Sequence, residues 1–262
     1  MGSVTYDFSG ETVIVTGGSS GIGRQIALRF GAAGATVING DIRTDPRDRD
    51  AERPTHAVIE ADGGAAEYVE TDITDPEQLV DLVDCARAHG GVDVMVNNAG
   101  RFLRGRIESM SPEDLDHLYQ TNLRGTYFGC QAAAEDMRNR GEEGVIVNLA
   151  SISSLDAQVG LSAYETTKAA IRMLTKTVAL EFAADDIRVT ALAPGITASE
   201  FGTSGKAETK RAVREGEGDK PVPLRRAADP SEMAGPALFL ASEEASYVTG
   251  ETFFVDGGYT AY

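Results

Sequence analysis

Thr12-Val13-Ile14-Val15-Thr16-Gly17-Gly18-Ser19-Ser20-Gly21-Ile22-Gly23 decides the fold. Four β-branched residues in a row (12–15) favour a strand. The glycines at 17, 21 and 23 make a turn, and Ile26, Ala27 and Phe30 then recur at helical spacing. A strand running through a glycine turn into a helix places free N–H groups and the positive dipole end where an anion can sit. Glycine lets the backbone approach a pyrophosphate that a Cβ would hold off. The spacing is TGxxxGxG, not the GxGxxG of the commoner dinucleotide fingerprint.

The rest of the chain repeats the alternation. Ala35 to Asp41 reads as a second strand, Thr55 to Ala61 as a helix, and Glu67 to Asp72 as a third strand. Pro76 to His89 carries Leu79, Leu82, Val83 and Ala86 on one helical face, and Val92 to Val96 is the fourth strand. A helix is expected over Pro112 to Met137, a fifth strand over Gly144 to Leu149, a helix through Tyr164 to about Ala184, and a sixth strand over Arg188 to Leu192. A helix over Ser231 to Leu240, capped by Asp229-Pro230, and a seventh strand over Thr252 to Val255 complete the set. Strands alternating with helices imply a Rossmann-like α/β fold: a doubly wound parallel sheet with helices on both faces. Residues 1–262 show no linker or repeat, so a single domain is expected. The charged, Gly- and Thr-rich stretch 196–222 has little apolar periodicity and reads as a mobile lid.

Composition narrows the function. A formal charge of -17 argues against nucleic acid and anionic membranes, whose phosphates are held by Lys and Arg. No apolar run approaches the ~20 residues of a spanning helix and no basic leader opens the chain, which points to the cytoplasm. Cys85 and Cys130 form no CxxC and meet no paired His, so free thiols and no metal site are expected. There are only five Lys (168, 176, 206, 210 and 220), and an acidic surface poor in Lys suits a salt-rich, halophilic setting.

Several residues carry chemistry. Tyr164 and Lys168, four apart, share a helical face, and an ammonium beside a phenol favours the phenolate a general acid/base needs. Ser151 follows the fifth strand, at the carboxyl end where open parallel sheets place their sites. Asp41 lies eighteen residues beyond Gly23, close to the ~20 expected for a carboxylate that accepts both ribose hydroxyls. That carboxylate would repel a 2′-phosphate and favours NAD over NADP, while Arg43 is the feature pulling the other way. Arg43 to Arg53 alternates Arg with Asp and reads as a solvated loop. Asn97-Asn98-Ala99-Gly100 suits a turn passing close to a ligand. Asn122, flanked by Leu118, Leu123 and Tyr127, reads by itself as a residue that bends or packs its helix.

Taken together, TGGSSGIG at 16–23, Asp41, Asp72, NNAG at 97–100, Asn122 in TNLRG, Ser151 in NLAS, YETTK at 164–168, PG at 194–195 and SYVTGETFFVDGG at 246–258 resemble the short-chain dehydrogenase/reductase family over nearly the whole chain. The resemblance implies an oxidoreductase passing a hydride between a nicotinamide and a secondary alcohol or carbonyl. Tyr164 would be its acid/base and Lys168 would bind the nicotinamide ribose. Ser151 would hold the substrate oxygen, and Asn122 would kink its helix and hold a relay water. Gly17, Ser19, Ser20, Gly21, Ile22 and Gly23 would wrap the phosphates, Asp41 would meet the ribose with Ile42 beside it, and Asp72 and Ile73 would meet the adenine. Asn97, Asn98, Ala99 and Gly100 would take the adenosine side. Pro194, Gly195 and Ile196 would meet the nicotinamide, with Thr197 and Ser199 offering two hydroxyls for its carboxamide. Arg101 departs from the apolar residue usual after NNAG, and with Arg104 and Arg106 it could meet a substrate anion.

A sugar or polyol is the expected substrate. A 3-oxoacyl thioester is the alternative, and a non-catalytic dinucleotide-binding sensor is the reading from another class. Apolar residues on Leu115 to Met137 (Leu118, Leu123, Tyr127, Phe128, Ala132, Ala133) and on Thr249 to Tyr262 (Phe253, Phe254, Val255, Tyr259, Tyr262) lead to an expected homotetramer.

Overall fold

A computed structural model describes residues 2–202, 205–217 and 220–262. Seven parallel strands form one sheet: β1 (Thr12–Thr16), β2 (Thr36–Asp41), β3 (Ala65–Glu70), β4 (Val94–Asn97), β5 (Gly144–Leu149), β6 (Ile187–Pro194) and β7 (Thr252–Val255). Their spatial order is β3-β2-β1-β4-β5-β6-β7. The chain builds outward from β1 to β3, then returns to the other side of β1 and builds outward again. The order therefore reverses between β1 and β4, and a crevice opens at the carboxyl ends there.

Alternate strand residues point to opposite faces, and both faces are covered, so each strand is apolar almost throughout. Val13, Val15 and Val37 pack with Ile26, Ala27 and Phe30 of α1 (Gly21–Ala32) and with Ala237 and Leu238 of α8 (Ala234–Ala241). Ile14, Ile38 and Met95 face the other layer. There they meet Leu82 and Val83 of α3 (Pro76–Ala86), Ala133 and Met137 of α5 (Gly125–Arg140), and Val178 of α6 (Ser162–Phe182).

Some expected boundaries move. β3 begins two residues early, because its backbone pairs in register with β2 from Thr36↔Ala65 to Asp41↔Glu70 regardless of the weak strand preference of two alanines. The expected helix 112–137 is broken into α4 (Pro112–Leu118), a π-helical turn at Tyr119–Arg124, and α5. The stretch 196–222 contains a helix, α7 (Lys206–Glu215), which its charge obscured; residues 203–204 and 218–219 of that stretch lie outside the described residues. Helix α2 (Thr55–Ala61), β5 and β7 fall where expected.

Of the helical residues counted toward an interface, Leu118, Ala132 and Ala133 are buried within the subunit. So is Tyr259 of the C-terminal set. Tyr127, Phe253 and Tyr262 stay exposed, and Met173 and Leu180 of α6 join them.

Candidate active site

A cleft of about 990 Å³ runs along the carboxyl ends of the strands, from Asp41 past the glycine turn to Ser151, Tyr164 and Lys168. Its floor depends on close backbone approach. A Cβ on Gly17 would come within 2.9 Å of the Ala99 Cα, and one on Gly23 within 2.3 Å of the Gly17 carbonyl oxygen. Gly17 and Gly21 also have positive φ, 66° and 56°. Asn98 ties the two turns together, donating from Nδ2 to the carbonyls of Thr16 (2.9 Å) and Gly17 (3.1 Å).

At one end of the cleft, the Asp41 carboxylate accepts the N–H groups of Ser19 (3.1 Å) and Arg43 (3.3 Å). Burial raises its pKa, and these two donors oppose the rise. Ser19 itself turns inward. Its hydroxyl donates to the Arg43 carbonyl at 2.7 Å and accepts from Asn39, so only its backbone serves the site. Asn97 is placed differently from expectation: its amide donates to Asn148 Oδ1 (2.9 Å) in the buried layer beneath the sheet, away from the cleft. Gly23 is packed under Gly17 and does not line the cleft either. Asp72 caps its own turn, accepting from the Thr74 N–H and hydroxyl at 2.9 and 2.8 Å.

At the other end, α6 begins after the Ser151 turn and carries Tyr164 and Lys168 one turn apart. Lys168 donates from Nζ to the Leu149 carbonyl at 2.7 Å and lies 5.8 Å from the Tyr164 ring centre. Burial pushes the ammonium down to about 8 and the phenol up to about 12; a hydrogen bond with Ser151 pulls the phenol back down. The expectation that Lys168 draws the phenol toward neutrality is thus not met by the protein's own groups, because burial dominates both. Phe102 stands edge-on to Tyr164 at 5.0 Å, and Phe201 is 6.2 Å from Phe102. Phe102, Phe201, His117 and Gln158 line the cleft without having been singled out by name in the sequence; Phe102, Gln158 and Phe201 fall in the loops 101–107, 152–162 and 196–222, where the sequence leads one to expect the substrate pocket, and His117 does not. Arg101 and Arg104 reach the cleft, whereas Arg106 turns to Glu108 at 2.6 Å.

Asn122 is fully buried and lies in the π-helical turn. Its Oδ1 accepts the Arg101 N–H (2.7 Å), while Nδ2 donates to the Arg101 carbonyl (2.9 Å) and to Thr167 Oγ1 (3.2 Å). One amide thereby fixes the segment after Gly100 against α6, between Tyr164 and Lys168. Both amide hydrogens are used in this way and the Asn122 backbone carbonyl already accepts the Thr126 hydroxyl at 2.8 Å, so a relay water would have only the remaining oxygen lone pairs of Asn122 to bind.

The residues fit a nicotinamide dinucleotide: glycines where the backbone must come close, a helix N-terminus, and a braced carboxylate at the ribose end. Comparison with known proteins agrees. A family model described as enoyl-(acyl carrier protein) reductase matches residues 17–260. The chain is 39% identical over 263 residues to 3beta-hydroxysteroid dehydrogenase 1 of Eggerthella lenta, covering 98% of this chain and 96% of that one. It is 39% identical over 258 residues to glucose 1-dehydrogenase 2 of Bacillus subtilis, covering 98% and 97%. A crystal structure of a short-chain type dehydrogenase/reductase from Mycobacterium marinum superposes with a TM-score of 0.87 at 34% identity, covering 98% of each chain. A crystal structure from Beutenbergia cavernae described as an NAD(P) dependent gluconate 5-dehydrogenase, with NADP bound at low occupancy, gives 0.87 at 34% identity and covers 99% and 100%.

Asn122→Ala removes the side-chain partner of the Arg101 N–H and carbonyl and one donor to the Thr167 hydroxyl, which keeps its own bond to the Tyr164 carbonyl. The expected loss is about 2–3 kcal/mol, read from a urea denaturation midpoint. A loss below about 0.5 kcal/mol would mean the Arg101 segment is held by other contacts.

Proposed function

The chain belongs to the short-chain dehydrogenase/reductase family, and from that premise we propose that it is an NAD-dependent dehydrogenase of secondary alcohols with Tyr164 as the proton-transfer group. It is an NAD(P)-dependent oxidoreductase acting on CH–OH groups. The observation that carries the finer reading is the convergence of Ser151, Tyr164 and Lys168 on one wall of a cleft whose far end is Asp41 and the glycine turn. The bound dinucleotide supplies the hydride acceptor; the chain supplies position and the proton path. Ser151 holds the substrate oxygen. Tyr164 removes the hydroxyl proton in oxidation and returns it in reduction. Lys168, fixed by the Leu149 carbonyl, presents its ammonium to the nicotinamide ribose, and Asn122 keeps the facing segment in place.

For the substrate, the surroundings of Tyr164 favour an apolar ring face over the sugar or polyol expected from sequence. Tyr164 packs with Leu118 and Ala163, and Phe102, Leu103 and Met110 close over them. A cyclic secondary alcohol can lay its hydrocarbon face on Phe102 and Phe201 while its hydroxyl reaches Ser151 and Tyr164. His117, Gln120 and Gln158 on the same cleft support a sugar as the second reading. The stretch 196–222, with α7 at its centre, is read as the lid.

Asp41 supports NAD. Its carboxylate is held by two backbone donors where the adenine ribose would lie, and a 2′-phosphate there would meet a fixed negative charge. The exposed Tyr127, Met173, Leu180 and Phe253 support a homotetramer. No helix among the described residues is long and apolar enough to cross a membrane. A salt-rich cytoplasm is the setting read from the charge of -17, and acid crowding is visible locally. Burial, together with Asp93, Glu143, Glu243 and Asp7, pushes Glu11 up to about 7.

Four outcomes are expected. Wild-type enzyme reduces NAD with cyclic secondary alcohols, and its oxidation rate rises with pH and is still rising at about pH 10, because the phenol, pushed up to about 12 by burial, ionises only as pH rises. Tyr164→Phe keeps cofactor binding but loses roughly a thousandfold or more in kcat together with that climb. Substantial residual activity would remove Tyr164 from the mechanism. Asp41→Ser shifts the kcat/KM ratio toward NADP by about tenfold or more; a ratio that stays put would reject the ribose assignment. Light scattering shows a tetramer at high salt; a monomer at both low and high salt, with full activity, would mean the exposed apolar residues are not an interface.

A further inference from the structure

The loop 43–53 is not simply solvated. Asp48 is 7% exposed, and its Oδ2 accepts the N–H of Gly21, the first residue of α1, at 2.7 Å. Its other oxygen, Oδ1, is buried without a hydrogen bond and faces Lys206 Nζ at 3.3 Å as an ion pair. Lys206 opens α7 and also donates to Asp50 at 2.7 Å. The loop is fastened again where the Arg47 N–H donates to Ser20 Oγ at 2.8 Å. The first turn of α1 contains no acidic residue, so the negative charge at its N-terminus comes from outside the helix, through Asp48. Asp48 lines the same cleft as Gly17, Gly21 and Ile22.

A helix N-terminus reached through a glycine turn is where a dinucleotide places its pyrophosphate, and a carboxylate is a second anion suited to the same donors. We propose that Asp48 is an internal competitor for the cofactor phosphates at the N-terminus of α1, and that Lys206 is the cation the two anions share. Cofactor entry then moves the Gly21 N–H and Lys206 from the carboxylate to a phosphate oxygen. Because Lys206 belongs to α7, the lid helix registers the exchange. Asp48 is therefore a positioning and affinity-setting residue and makes no contact with the reacting carbon.

This rests on the dinucleotide reading of the cleft, and calorimetry separates the two. Kd is measured for NAD, ADP and adenosine with wild type, Asp48→Asn, Asp48→Ser, Asp48→Glu and Lys206→Met. Both neutral variants bind NAD and ADP roughly three- to tenfold more tightly, while adenosine, without phosphate, binds unchanged. Asp48→Glu keeps the charge and stays near wild type. Lys206→Met weakens NAD and ADP by a similar factor. Unchanged or weaker NAD binding by both neutral variants overturns the competition, and so does an equal gain for adenosine. Unchanged binding by Lys206→Met overturns the role of the shared cation. If wild type binds neither NAD nor ADP, the cofactor reading itself fails, a result distinct from either.

Discussion

The hydrogen bond from Lys168 Nζ to the Leu149 carbonyl joins the two elements that make the site. Leu149 ends β5, the strand that delivers Ser151, and Lys168 sits one turn beyond Tyr164 on α6. An ammonium at 5% exposure needs such an acceptor, since a buried charge without a partner is costly. Meeting that need sets the rotation of α6 against the sheet, and the rotation places the phenol beside Ser151. Asn122 completes the frame from the opposite side by clamping the Arg101 backbone and Thr167 with one amide. The π-helical turn at 119–124 lies where this residue meets those partners, and it separates α4 from α5.

Charge is distributed unevenly over this frame. Of five lysines, three lie between 206 and 220, and each meets an acid elsewhere in the chain: Lys206 with Asp48 and Asp50, Lys210 with Asp229, and Lys220 with Asp156. The pairs with exposed acids, Lys206–Asp50 and Lys210–Asp229, are worth about 0–1 kcal/mol each and weaken with salt. A segment held by several weak, screened contacts can release and reseat at little cost. That suits the lid proposed for this stretch, and it gives a use to lysines in a chain that otherwise has few.

The sheet was legible in the sequence because parallel strands covered on both faces must be largely apolar, and 13–15, 94–96 and 145–147 are. The grouping of Ser151, Tyr164 and Lys168 along one cleft was legible because it is local: two residues four apart on one helix, and a serine just beyond one strand. What escaped notice depends on contacts distant in sequence. Helix α7 is too charged to show an apolar face. Asp48 looks like any acid in a run of Arg and Asp, and only the fold brings it to Gly21. Asn97 shares the NNAG turn with cleft-lining neighbours, yet strand alternation sends its side chain to the other face, toward Asn148 and Cys130. The raised phenol of Tyr164 followed the same pattern: spacing put the lysine nearby, but burial, which spacing does not report, set the direction.

The central claim is that this cleft moves a hydride from a carbinol carbon while Tyr164 takes the hydroxyl proton. The most direct measurement follows the label: a cyclic secondary alcohol carrying deuterium at the carbinol carbon is oxidised in ordinary water, and the reduced cofactor is weighed by mass spectrometry. The account predicts that the reduced cofactor gains one deuterium at C4 of the nicotinamide. A reduced cofactor without deuterium, its new hydrogen drawn from water, would contradict it.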